Sequence, residues 1–335
     1  MRNRVLLLVS LLVIAVFISG CHNSKGRYIP DVDRSDLPDV TIHIKRYGKA
    51  LFELDTADIK TGLKSIKPDF LLFLNASLDD TANVNQLRSF VLDTVNRYLF
   101  NRTMKVFPDL TSLEKELSES FSYYHYYFPN IEIPSFYSYI SGGYFEEPIL
   151  LADSVVLIGL DNFLGGDFVY YARMGVPKYK MHWMIKEESP VAAMREMYKA
   201  LPFSGVKARN LLDMMISSGK ELYFLDAMMP DVPDSLKIKY TSKQLEWVNK
   251  NAKNIWAFLI EQRLLFSADF MKTNKLMQDG PFTKGFEGDA PARLGEWVGW
   301  QIVSKYMERH PDVSLKKLLQ IKDSQQILND SGYKP

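Results

Sequence analysis

The apolar positions fall into a short leading run and then into two kinds of periodicity. Residues Val5 to Ile18 are apolar apart from Ser10, a run of roughly 14 residues, short of the ~20 that a helix needs to cross a bilayer. From Val40 to Tyr47 the pattern alternates, with Ile42 and Ile44 on one face, which predicts a strand. Asn83 to Phe100 carries Leu87, Val91, Val95 and Leu99 at four-residue steps and predicts a helix. Thr111-Ser112-Leu113-Glu114 has the form of a capping box opening a second helix, with stripe Leu113, Leu117, Phe121 and Tyr124, that stops before Pro129. Ser135 to Ile140 and Ser154 to Leu160 predict strands. In the second, Val155-Val156-Leu157-Ile158 is an unbroken apolar run of the kind buried on both faces.

Beyond residue 188 the period is helical throughout. Ser189-Pro190 predicts an N-cap and first turn for a helix to about Leu201. Lys207 to Leu225 is the next helix. Thr241 to Gln244 caps another, carrying Leu245, Val248, Ile255 and Leu259. Arg293 to Arg309 follows, and Ser314 caps a last helix through Leu328. Strands mixed with helices, then a helical half, predict an α+β fold. Residues 21–39 are polar and hold Pro30, Pro38 and four aspartates, so they read as a flexible tether. No linker or repeat follows Val40, and 40–335 is expected to be one domain.

The leading run gains meaning from its flanks. Arg2 and Arg4 precede it, Ser19 and Gly20 follow it, and then comes Cys21, the only cysteine of the chain. This layout resembles the bacterial lipoprotein signal, residues 1–20, in which the cysteine becomes the acylated first residue of the mature protein. Two or three acyl chains on one residue anchor a protein stably to a membrane. Without Arg2 and Arg4 the net charge of +1 becomes −1. A near-neutral chain with no basic tract points away from nucleic acid as a partner.

Candidate chemistry in the body is sparse. The five histidines are His22, His43, His125, His182 and His310, and no two stand within 20 residues of each other. No HExxH or other zinc spacing exists, and zinc is not expected as a cofactor. Asp161 and Asp167 flank Gly165-Gly166 just past a predicted strand, a conceivable loop for a ligand or ion, although the spacing matches no EF-hand. The competing reading is turn chemistry, with the aspartates bonding local backbone. There is no G-x-S-x-G elbow and no phosphate loop. The aromatic stretch Phe121 to Tyr139 reads first as core and second as a binding surface.

Several segments together resemble the gliding-motility lipoprotein B family of Bacteroidota. They include Phe107-Pro108-Asp109-Leu110, Tyr126-Tyr127-Phe128-Pro129, Leu222-Tyr223-Phe224-Leu225-Asp226-Ala227 and Arg293-Leu294-Gly295-Glu296-Trp297-Val298-Gly299-Trp300. The layout also resembles predicted zinc peptidases of zincin-like fold, in which an HExxH helix precedes a helix that supplies the third ligand. On that resemblance the two histidine positions hold Met194 and Tyr198, the position of the base holds Arg195, and the third ligand position holds Ser218. A zinc peptidase needs three ligands and a base to form its zinc-bound hydroxide. The resemblance therefore implies a zincin-like body without the peptidase chemistry, and a degenerate cleft near Met194, Arg195, Tyr198, Ser218 and Tyr223 as the default ligand site. Arg293 and Trp297 are weaker candidates. The expectation is a non-catalytic envelope lipoprotein, anchored at the outer membrane facing the periplasm, that binds an envelope protein and relates to gliding or envelope assembly. The alternative is a carboxylate-dependent hydrolase, using Asp161 or Glu146, or a binder of cell-wall glycan.

Overall fold

The computed structural model describes residue 29 and residues 31–335 except 205–206, 284 and 287–288. Cys21, the signal and the first part of the tether lie outside the described residues. Four strands form one sheet: β1 Ile44–Arg46, β2 Ser135–Tyr139, β3 Ile149–Ala152 and β4 Val155–Gly159, in the order β1-β2-β4-β3. β1 and β2 are parallel, as are β2 and β4, while β3 pairs antiparallel to β4 with Ile149 opposite Ile158. The long crossover from β1 to β2 holds the helices α1 Tyr47–Phe52, α2 Ile59–Ile66, α3 Thr81–Leu92, α4 Thr94–Val106 and α5 Thr111–Tyr127. After β4 come α6 Val169–Arg173, α7 Lys178–Met181, α8 Glu188–Lys199 and α9 Leu211–Met228. The chain then continues through α10 Asp234–Ile238, α11 Ser242–Lys250, α12 Ala252–Glu261, α13 Phe270–Thr273, α14 Leu294–Arg309, α15 Leu315–Gln320 and α16 Ser324–Ser331. The architecture is mixed α+β and mostly helical.

The period-two alternation of the strands divides two cores. Ile44, Phe136, Val156 and Ile158 face a large core shared with α5, α8, α9 and α14. Tyr137 and Tyr139 face a smaller core built from α1 to α4 and the 164–181 region. Phe136 meets Phe121 edge-on at 5.2 Å, while Tyr137 lies 5.7 Å from Phe73 on the other side. Val155 and Leu157 are only half-buried, so β4 alternates rather than being buried on both faces.

Several predicted boundaries move for local reasons. Only Ile44–Arg46 of the expected first strand pairs, and Tyr47 already begins a helix. The helix expected over 83–100 is two helices, because the Asp93 side chain accepts from the Val95 and Asn96 amides and starts a new one. The expected capping box at Thr111 does not form. Glu114 instead accepts the Ile44 amide at 2.8 Å and ties α5 to the sheet. Ser189 is inside α8 rather than its N-cap. The Thr241 box does form, with Gln244.

The tightest packing in the helical half is the crossing of α9 and α14. A Cβ on Gly299 would sit 1.8 Å from the Met215 carbonyl oxygen, and one on Gly219 would sit 2.3 Å from the Gly299 oxygen. Only glycine at both positions lets the two backbones touch. Beside the crossing, Asp226 of α9 accepts from Trp300 Nε1 of α14 at 2.7 Å and from Lys237 Nζ at 2.9 Å, all three side chains being fully buried. Lys220, one turn before Tyr223, is also buried, and its ammonium donates to the Ile321 carbonyl. Burial lowers its pKa to about 8.

Two outcomes follow. Gly299→Ala gains about 1 kcal/mol of helix propensity but must push two backbones apart, an overpacking cost of about 1–3 kcal/mol or more. The urea midpoint is expected to fall, and a rise would show the crossing to be looser than described. Between pH 8 and the ordinary lysine value of 10.5, the unfolded chain holds the Lys220 proton that the folded chain has lost. Stability from this group therefore rises with pH across that window. The buried tyrosines, raised by burial, work in the opposite direction once pH passes about 10, where a free tyrosine ionises. Urea midpoints at pH 8 to 10 are expected to rise in the parent and to rise less in Lys220→Met; equal slopes would contradict this.

Candidate functional site

A cavity of about 320 Å³ lies just beyond the C-terminal end of β4, where the sheet meets the helical half. That size is at the lower end of small-ligand sites. Its walls are the turn before β3, the 3-10 turn Leu160–Asn162 that follows β4, the 176–184 segment, the first turn of α8, the chain entering α11 and the loop leading into α14. Short loops from both halves converge there, and the rigid elements behind them hold the walls.

The wall carries buried acceptors that receive no hydrogen bond among the described residues. Glu188, in the first turn of α8, is 1% exposed. The Lys239 ammonium stands 2.9 Å from its Oε1, yet off the hydrogen-bonding direction, so neither carboxylate oxygen accepts a hydrogen bond among the described residues. Asn162 is 1% exposed and donates its Nδ2 to Ser141 Oγ and to the Tyr144 carbonyl, both at 3.2 Å. Those two bonds fix the amide and leave Oδ1 without a donor among the described residues. Buried polar groups are nearly always hydrogen-bonded, and each exception asks for an explanation.

The rear of the cavity is a charge-clamped joint. Arg293 Nη2 donates to the Ile238 and Lys239 carbonyls at 2.8 and 3.2 Å. Its guanidinium stands 3.4 Å from Asp279 and 3.5 Å from Glu296, and 5.7 Å from the centre of the Tyr240 ring. The Tyr240 hydroxyl donates to the Ala292 carbonyl. Burial raises the Glu296 pKa, opposed chiefly by Arg293. Lys239 and Arg293 both take left-handed backbone conformations, φ +56° and +59°. Non-glycine residues in that region cost energy and cluster at sites where geometry is over-determined. Behind them, Arg195 bridges Glu221 and the Lys237 carbonyl. Burial works against its charge, and Glu221 and Glu188 more than offset that, leaving the pKa above the ordinary value.

The residues that the zincin resemblance points to lie elsewhere. Met194 and Tyr223 are fully buried members of the large core, and Tyr198 is 5% exposed with its ring 5.4 Å from Phe224. The Tyr198 hydroxyl donates to the Ser217 carbonyl at 3.4 Å, and the space against it amounts to about 10 Å³, room for one water. Ser218 is half-buried on α9. The chain fills this region with its own side chains, and the open volume is at the other end of α8. Of the two weaker candidates, Arg293 is in the cavity wall, whereas Trp297 is buried in the core.

Asp161 is fully buried, and its carboxylate accepts from the Ser141 amide and hydroxyl, both at 2.8 Å, and from the Gly143 amide at 3.0 Å. Burial raises its pKa and these bonds oppose the rise. The bonds hold the Gly142-Gly143 turn, whose φ values are +73° and +86°, so the carboxylate ties a distant turn to the end of β4 rather than bonding its own local backbone. Asp167 is exposed. Among the described residues no group of three His, Cys, Asp or Glu side chains is placed to hold a metal ion, and no helix is long and apolar enough to cross a membrane. The sequence missed Glu188, Asn162 and Lys239. Asn162 follows Asp161 at a strand end and was within reach; the other two acquire meaning only through contacts between distant segments.

A family model described as Gliding motility protein GldB matches residues 27–335. No curated protein and no solved structure matches the chain. The match spans almost the whole sequence, from within the tether to the last residue, and covers the body that carries the cavity. The chain belongs to the gliding motility protein GldB family, a family of lipoproteins.

Proposed function

We propose that this protein is a non-catalytic component of the cell envelope, anchored through Cys21 to the outer membrane on its periplasmic side, that serves gliding or envelope assembly by binding another envelope protein. The observation that carries the non-catalytic reading is the content of the α8–α9 pair. If the body descends from a zincin-like peptidase, the positions that would supply ligands and base hold Met194, Tyr198, Ser218 and Arg195. Two of these are core side chains, and Arg195 is committed to Glu221. A zinc-bound hydroxide needs three nitrogen, sulfur or carboxylate ligands and an acid–base group, and the chain offers neither at that place.

The binding reading is supported by surface chemistry. The segment from Ile260 to Phe282 exposes Ile260, Phe266, Phe270, Met271 and Phe282, with Met271 at 78%. A contiguous exposed apolar patch is a usual mark of a protein-binding surface, and this stretch is where the chain offers side chains for one. Glu146, the carboxylate named for a hydrolase, is exposed at the cavity rim.

Elemental analysis of the purified full chain is expected to find no stoichiometric zinc, and casein is expected to remain uncleaved. One zinc per chain with chelator-sensitive cleavage would overturn the non-catalytic reading. Metabolic labelling with alkyne-palmitate tests the anchor separately: the parent is expected to be labelled and Cys21→Ala to lose the label, while a labelled Cys21→Ala would contradict anchoring at that residue.

A further inference from the structure

The buried acceptors of the cavity call for a ligand that brings donors. We propose that the cavity between β4 and α8 is a saccharide-binding site for one or two sugar rings, with Glu188 and Asn162 as its hydrogen-bond acceptors, a role independent of the protein-binding reading above.

Three observations select this ligand class. First, Glu188 and Asn162 are each 1% exposed, and three of their oxygens accept no hydrogen bond among the described residues. A buried acceptor without a hydrogen bond is costly, and more so when it is charged, so a ligand hydroxyl placed there recovers that cost. Second, the charges of the wall balance: Glu146, Glu188 and Asp279 against Lys180, Lys239 and Arg293. Lys239 already lies 2.9 Å from Glu188. A ligand ammonium would have to compete with it, whereas a hydroxyl can donate to the carboxylate and accept from the lysine at once. Third, Phe145, Tyr179 and Trp183 line the same space. Aromatic faces beside a few placed polar groups suit the apolar face and hydroxyl edge of a sugar ring. The cavity volume of about 320 Å³ sets the limit of one or two rings.

The placement also explains the strained joint behind the site. The left-handed Lys239 and Arg293 bring an ammonium to Glu188 and close the rear wall against Tyr240. A wall fixed in this way is pre-organised, and a ligand meeting it loses little to rearrangement.

The test is saturation-transfer NMR and titration of the full chain, held in a detergent without a sugar headgroup. The probes are glucose, N-acetylglucosamine, and the β1,4-linked disaccharide of each, with glycylglycine and lysine as zwitterionic and cationic comparators. At least one sugar is expected to bind with one-to-one stoichiometry. Glu188→Gln, which keeps the shape and removes the charge, is expected to weaken it about tenfold, the size of one charge-assisted hydrogen bond. Trp183→Ala, on the half-buried wall, is expected to weaken it as well and serves if Glu188→Gln fails to fold. Asp167→Asn, exposed and outside the cavity, is expected to leave it unchanged. Binding by no sugar overturns the proposal. So does sugar binding that neither cavity variant weakens, and so does a site that takes glycylglycine or lysine in preference to every sugar.

Discussion

The backbone contact of α9 and α14 is the constraint on which the rest of the helical half depends. Two glycines, Gly219 and Gly299, allow the helices to meet without side chains between them, and a Cβ at either one would overlap backbone atoms of the other helix. Hydrophobic packing alone is tolerant of small shifts; main-chain contact is not. It fixes how far α14 can slide along α9. That in turn decides whether Trp300 can reach Asp226, as it does at 2.7 Å. A buried carboxylate needs its partners held in place, because removing one of them leaves a charge with no solvent to receive it. Asp226, Lys237 and Trp300 form such a set, and the glycines set the register of Trp300 on Asp226.

From this core the ordering passes outward by short steps. Lys237 sits in α10, and the turn after α10 contains Lys239, whose ammonium faces Glu188. Arg293, the residue before α14, holds the carbonyls of Ile238 and Lys239. Arg195 of α8 takes the Lys237 carbonyl on one side and Glu221 of α9 on the other. Three helices are thereby locked around one turn, and that turn is the rear wall of the cavity. The sheet contributes the opposite wall through Asn162, held by Asp161 and Ser141 next to it. The site exists because the two halves of the fold each present a rigid end to it.

Much of the fold was legible from periodicity. β2 and β4, α5, α8, α9 and α14 are where the apolar stripes and strand alternation place them, because long elements facing one core repeat the same signal many times. Breaks were harder to read. Asp93 splits a helix that hydrophobic spacing alone makes continuous, and the same spacing runs across Asn251 between α11 and α12. β3 is only four residues long and went unread. Glu114 illustrates the opposite failure: its position in a capping box is real in sequence, yet a sheet amide at 2.8 Å claims the carboxylate. The candidate site was legible only at its edges. The strand-end argument pointed at Asp161, one residue short of Asn162, and Arg293 was a weaker candidate as the first residue of an expected late helix, which it in fact precedes. Glu188 carried no signal in the sequence, since nothing local shows that it will be buried with no hydrogen bond among the described residues. The zincin resemblance pointed to the middle of α8, where the chain has packed Met194 and Tyr198 into its core, while the open space lies at that helix's first turn.

Native-state hydrogen exchange in increasing denaturant measures the central constraint directly. If the α9–α14 crossing organises the helical half, amides of residues 215–223 and 297–303 exchange only through global unfolding, with the full denaturant dependence of the whole chain. Exchange there through a local opening of lower free energy, while the surrounding helices stay protected, would contradict the account.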